Sequence, residues 1–166
     1  MTVLAYLYSP LGLVELRGSE AGLHAVRFLD KSADNAAVAP TPVAALPGCL
    51  VEAYRQVQAY FRRELREFTV VCAPETGTAF QRQVWAALPG VAYGRTASYL
   101  DLARQLSNHR AVRAVGAANG QNPLALVWPC HRIIGADGSL TGYAGGLLRK
   151  RWLLDFEQPH AQGRLF

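Results

Sequence analysis

The sequence predicts an α+β fold: an amino-terminal antiparallel sheet with a packed helix, then a mostly helical carboxy-terminal domain that contains a helix-turn-helix. Residues 3–29 hold three short runs rich in β-branched and aromatic residues, set apart by turn clusters. Beyond residue 78 the apolar residues recur at helical spacing. Between the two regions lies Ala73-Pro74-Glu75-Thr76-Gly77, a composition suited to a linker. Two domains are therefore expected, an α/β structural domain over 1–75 and a second domain over 76–166.

Val3 to Tyr8, Leu13 to Arg17 and Leu23 to Leu29 are the predicted strands, separated by Ser9-Pro10-Leu11-Gly12 and by Gly18-Ser19-Glu20-Ala21-Gly22, as in a meander. Lys31 to Gly48 carries three prolines among alanines and reads as a loop. Leu50, Val51, Tyr54, Val57, Phe61 and Leu65 then recur at helical spacing, and Phe68 to Cys72 reads as one more strand. Past the linker, Phe80 to Leu88 is helical and is stopped by Pro89-Gly90. Ser98-Tyr99-Leu100-Asp101 has the form of a capping box, and Tyr99, Leu102, Ala103 and Leu106 give the stripe of a short helix. Ser107-Asn108-His109-Arg110 breaks it, and Ala111 to Asn119 forms a second, small-sided helix; the pair reads as a helix-turn-helix. Asp137-Gly138 marks a tight turn, and Leu147 to Glu157 a final helix.

At 166 residues and 51% hydrophobic, the chain can bury one good core or two small ones. No apolar run approaches the ~20 residues of a membrane span, and the first residues lack a basic region followed by an apolar block, so a cytoplasmic protein without membrane contact is expected. Cys49, Cys72 and Cys130 are odd in number and widely spaced, and His24, His109, His131 and His160 show no ligand spacing; reduced thiols and no metal are expected. The net charge of +5 is uneven: residues 1–75 hold seven Lys and Arg against eight Asp and Glu, residues 76–166 ten against four. Nearly all of that excess is arginine, which suits phosphate and base edges, although a solvated basic face has the same composition.

Leu124 to Trp128 reads as a buried strand, and Pro129 cannot continue a ladder, so Cys130 follows where the chain leaves the sheet. A free thiol is only a few per cent thiolate near neutral pH, and the adjacent His131 could take its proton. On an extended chain neighbours face opposite sides, so a bridging water is expected between the two side chains. Taken alone, the dipeptide also fits a buried structural cysteine beside an unrelated histidine.

The pieces occur in the order Arg82-Gln83-Val84-Trp85, Tyr93-Gly94, Ser98-Tyr99, Ala111-Val112-Arg113-Ala114-Val115-Gly116, Asn122-Pro123, Pro129-Cys130-His131-Arg132-Ile133-Ile134, Gly142-Tyr143-Ala144-Gly145-Gly146 and Trp152-Leu153-Leu154-Asp155-Phe156-Glu157. In that order and spacing the chain resembles the O6-alkylguanine-DNA alkyltransferases, almost continuously through its second half. Ser9-Pro10-Leu11-Gly12 and the helix near Tyr60 resemble the family's amino-terminal domain more weakly. The resemblance implies DNA repair by a single, stoichiometric transfer of the alkyl group from O6-alkylguanine to Cys130, with no cofactor. The implied partner is double-stranded DNA carrying the lesion, and a monomer is expected.

The same resemblance implies the roles. His131 takes the thiol proton through a water, Glu157 holds the other imidazole nitrogen, Tyr99 protonates the departing guanine, and Asn122 braces the active-site turn. Arg113 fills the place of a base flipped through the minor groove, and Ala111, Ala114 and Gly116 keep its helix slim enough for a groove ~6 Å wide. Tyr143 walls the base pocket, while backbone groups of Cys130, Ile133 and Ala144 read the guanine edge. The inter-helix turn, commonly Gly-Asn-Pro in relatives, is Ser107-Asn108-His109 here. Trp128 stands where a branched aliphatic is usual, and Ala144 where relatives offer a serine. A transcription factor would explain the charge but would not need Cys130, Tyr99 and Glu157 together. A lesion sensor would lack the cysteine, and a thiol hydrolase would need a second, water-activating site.

Overall fold

Strands Val3–Ser9 (β1), Gly12–Ser19 (β2) and Gly22–Phe28 (β3) form an antiparallel sheet in the order β1-β2-β3, as the β-branched and aromatic runs and the turn clusters predict. Residues 1–158 are described by the computed structural model, so His160 and the end of the predicted second domain lie outside the described residues. Ala5 and Leu7 of β1 and Val14 and Leu16 of β2 alternate into the core. In β3 the buried Leu23 and Val26 are three apart. A register shift makes this possible: Leu23 pairs with Gly18 and Ala25 with Arg17, so His24 is an extra residue that turns both apolar side chains inward.

Helix α1, Val51–Phe61, buries Ala53, Tyr54, Val57 and Tyr60 and packs on β1. It ends short of the predicted Leu65 because Arg63 takes a left-handed φ of 63°. Two predicted strands shrink to single bridges along the free edge of β3: Leu23 pairs with Cys72, and Val26 with Leu124. The first is cut off by the nearby Pro74, and the second bends at Leu126, whose φ is 69°. The chain thus forms two compact units: Met1–Thr76 with Pro123–Val127, and Gly77–Asn122 with the residues from Trp128 onward.

The second unit contains helices α2 (Ala79–Ala87), α3 (Tyr99–Gln105), α4 (Val112–Gly120) and α5 (Leu147–Glu157). Capping boxes start two of them, Thr78 with Gln81 and Ser98 with Asp101. Ser107, at a φ of 57°, turns the chain from α3 toward α4, and the Asn108 N–H closes on the Ala103 carbonyl at 2.9 Å. A parallel pair, β4 (Ala97–Ser98) with β5 (Ile133–Ile134), was not foreseen. It sets the start of α3, and so Tyr99, beside the segment that follows Cys130. The core joins Val84, Trp85, Leu88, Leu102, Ala103, Val115, Ala118, Ile133 and Cys130. Among the described residues no helix is long and apolar enough to cross a membrane.

Candidate active site

Pro129, with its ring-fixed φ of −78° and a ψ of 65°, makes an inverse γ-turn in which the Cys130 N–H bonds the Trp128 carbonyl at 2.7 Å. Cys130–Arg132 then complete one turn of 3-10 helix, not the extended exit that the sequence suggests. Neighbours on such a turn still diverge, by about 120°. Two amides hold it: Asn122 Nδ2 donates to the Trp128 carbonyl at 2.8 Å, and Asn119 Nδ2 to the Cys130 carbonyl at 3.2 Å. Cys130 is 4% exposed. Burial pushes its thiol up, opposed by the Asn122 side chain, the Lys150 charge and the local N–H groups.

His131 is fully buried, and its Nε2 lies 2.7 Å from Glu157 Oε1 at the end of α5. Glu157 also takes two bonds from Arg132, Nε to Oε2 at 2.8 Å and NH2 to Oε1 at 2.9 Å, while Arg132 NH1 donates to the Val91 carbonyl. Burial alone would raise the Glu157 carboxyl; its bonds to His131 and Arg132 outweigh that and hold it at about 2. Arg132 already balances this carboxylate, and burial keeps the imidazole pKa below its usual range, so His131 is neutral at rest. With the carboxylate accepting from Nε2–H, Nδ1 carries the lone pair. Among the described residues no group bonds it.

The Tyr99 hydroxyl donates to the Thr141 carbonyl at 2.7 Å. Lys150 Nζ donates to the Ile133 carbonyl at 2.6 Å and the Thr141 carbonyl at 2.9 Å, and reaches the Tyr99 oxygen at 3.3 Å. The Tyr143 hydroxyl is buried without a hydrogen-bond partner among the described residues, and burial raises its phenol well above the ordinary range. Ile133 is buried, and Ala144 is exposed. On α4, Val115, Ala118 and Asn119 face inward, whereas Arg113, Ala114 and Ala117 are exposed. Ala111 precedes the helix, and a Cβ at Gly116 would lie 3.6 Å from the Tyr99 ring.

Cys130, His131, Glu157 and Asn122 thus stand around one turn, joined by Tyr99 through Lys150, while Arg113 lies on an exposed helix face. The sequence reading missed Lys150, Arg132 and Asn119. For Lys150 a signal existed: it falls on the same inward stripe as Leu153 and Glu157, at i, i+3 and i+7. Among the described residues no cluster of His, Cys, Asp and Glu could hold a metal ion.

Residues 2–73 match the 6-O-methylguanine DNA methyltransferase ribonuclease-like domain, and residues 79–159 the DNA binding domain of the same family. A Methanosarcina acetivorans methylated-DNA–protein-cysteine methyltransferase is 46% identical over 92% of this chain and 96% of its own. The crystal structure of the Mycobacterium tuberculosis O6-methylguanine methyltransferase is 44% identical, covers 95% of this chain and 93% of its own, and has a TM-score of 0.81. A structure of Mycobacterium tuberculosis OGT in complex with DNA, 43% identical, covers 93% of this chain and 92% of its own with a TM-score of 0.79. With both halves matched and relatives this similar along nearly the whole chain, the protein belongs to the 6-O-methylguanine DNA methyltransferase family.

Proposed function

We propose that the protein repairs O6-alkylguanine in double-stranded DNA by one irreversible transfer of the alkyl group to Cys130. The buried Cys130 on a braced turn, beside a neutral His131 whose Nε2 is fixed by Glu157 and whose Nδ1 is open, carries this reading. His131 takes the thiol proton through a water, and the thiolate attacks the alkyl carbon in line with the guanine oxygen. The carbon–sulfur bond forms as the carbon–oxygen bond breaks. Tyr99 gives its hydroxyl proton to the ring of the departing guanine, which would otherwise leave as a poor anion. Asn122 holds the turn throughout. The thioether product has no route to hydrolysis, so each chain acts once.

A stacked base is out of reach of a buried sulfur, so the target nucleotide is flipped. Arg113, exposed on α4, fills its place, and Ala111, Ala114 and Gly116 keep that helix narrow enough for the minor groove. Tyr143 walls the pocket, and backbone groups of Cys130, Ile133 and Ala144 read the guanine edge. The protein acts as a monomer in the cytoplasm.

Intact mass after incubation with a duplex carrying O6-methylguanine tests the reading. One added methyl per chain, mapped to the Cys130 peptide, is the expected result. Methyl on Cys49 or Cys72, or none at all, would overturn it.

A further inference from the structure

Both lone pairs of the Cys130 carbonyl are engaged in the resting site. The oxygen closes the 3-10 turn by accepting from the Ile133 N–H, and it accepts again from Asn119 Nδ2 at 3.2 Å. A carbonyl oxygen has two lone pairs, so no good direction remains for a third donor. The Cys130 N–H is committed as well, to the Trp128 carbonyl at 2.7 Å.

Asn119 is poorly placed to withdraw. It is 1% exposed near the end of α4, and the carbonyl of Ala118, the residue before it, is pinned by the buried Trp85 Nε1 at 2.7 Å. Its own Oδ1 has no partner among the described residues. Rotating Nδ2 off the Cys130 carbonyl would therefore leave the whole amide unpaired in the core, the costly case for a buried polar group.

We infer that Asn119 is a specificity-determining residue that keeps the Cys130 carbonyl from the exocyclic amine of guanine and so extends the substrates to O6-alkylhypoxanthine, the same ring without that amine; this rests on the alkyl-transfer reading above, in which the backbone around Cys130 faces the base edge. An amine directed at that carbonyl meets the Asn119 N–H, donor against donor. Guanine gains little there, and a base without the amine loses little. The transfer is the same for either base. The thiol proton goes to His131, the carbon–sulfur bond forms as the carbon–oxygen bond breaks, the purine oxygen keeps the pair of the broken bond, and the ring takes its proton from Tyr99. Hypoxanthine is restored in place of guanine.

Asn119→Leu is close in volume and donates nothing, so it frees one lone pair of the carbonyl for the guanine amine. Single-turnover rates with protein in excess would be measured for the wild type and this variant, matched first by circular dichroism, on two duplexes that differ only in carrying O6-methylguanine or O6-methylhypoxanthine. The wild type should be methylated by both. In Asn119→Leu the guanine-to-hypoxanthine rate ratio should rise by about fivefold or more, because the opened acceptor goes unpaired with hypoxanthine alone. Differences between the lesions in pairing and unstacking cancel in this comparison, and so does a general loosening of the Cys130 turn, which slows both alike. A wild type methylated by the guanine lesion and not by the other, or a ratio that rises by less, would overturn the inference. Should the Leu protein not fold, Asn119→Met, whose unbranched side chain adapts to the space, carries the same ratio test. Failure of the wild type to take methyl from either lesion would sink the alkyl-transfer reading instead.

Discussion

Glu157 satisfies three donors with two oxygens, and this ties the chemistry of the site to its stability. Its carboxyl sits at about 2 in the folded chain against a usual 4.5, so its contribution is complete above about pH 4.5 and is lost as pH falls toward 2, roughly 3 kcal/mol in all. His131 acts earlier. Burial keeps it neutral, so the unfolded chain takes up the proton first as pH drops below 6.5, and stability falls there too. Cys130 works in the opposite direction at high pH, where the unfolded chain releases its thiol proton first. Urea unfolding should therefore give a plateau between about pH 7 and 8.5 and a two-stage loss on the acid side, of which His131→Asn removes the upper stage. A wild-type profile flat from pH 7 to 5 would mean that His131 protonates inside the fold. Cys130 and His131 stand out in the sequence through the ordered motifs around them, since the dipeptide alone fits a structural cysteine as well. Arg132 does not, because a basic side chain reads as solvated until the carboxylate beside it is known, and Lys150 shows only through its place on the inward stripe of α5.

Ser107 shows how an element boundary can be read correctly and still be strained. The break after α3 is legible from the loss of helical spacing, yet the residue that makes it sits at a φ of 57°, where an L side chain meets its own carbonyl and glycine does not. Ser107→Gly should raise stability by about 0.5 to 1 kcal/mol, the relief of strain being partly offset by the greater freedom of the unfolded chain. That amounts to about 2 to 4 °C per kcal/mol in melting temperature for a chain of this size, checked by calorimetry. A lower value would mean that the Ser107 side chain matters more than its backbone. The helices with capping boxes announce themselves by composition and period. The β4–β5 pair does not, since two residues have no period, and Leu124 to Trp128 looks like a strand because Leu126 carries no sign that it will turn left-handed.

For the molecule as a whole, the sulfur proposed to react is also part of the core, so the proposed reaction would be coupled to stability. A methyl on Cys130 must fit among side chains packed around a group only 4% exposed. Overpacking of this kind costs roughly 1 to 3 kcal/mol, and the melting temperature of the fully methylated protein, freed of DNA, should fall by several degrees. Cys130→Ala carried through the same incubation is the control, because it meets the lesion and cannot react. An unchanged value would mean that the pocket yields. The first unit adds a constraint that belongs to the order of synthesis. Its third strand receives part of its edge from Pro123–Val127, through the Val26 N–H to the Pro123 carbonyl at 2.9 Å and the Ala125 N–H to the Val26 carbonyl at 3.2 Å. While the ribosome is still making the residues between, that stretch of β3 is bare, a template for pairing with another nascent chain. Chains cut short before Pro123 should aggregate on release, whereas chains ending just past Val127 should keep the sheet intact, as pelleting and hydrogen exchange at Val26 would show.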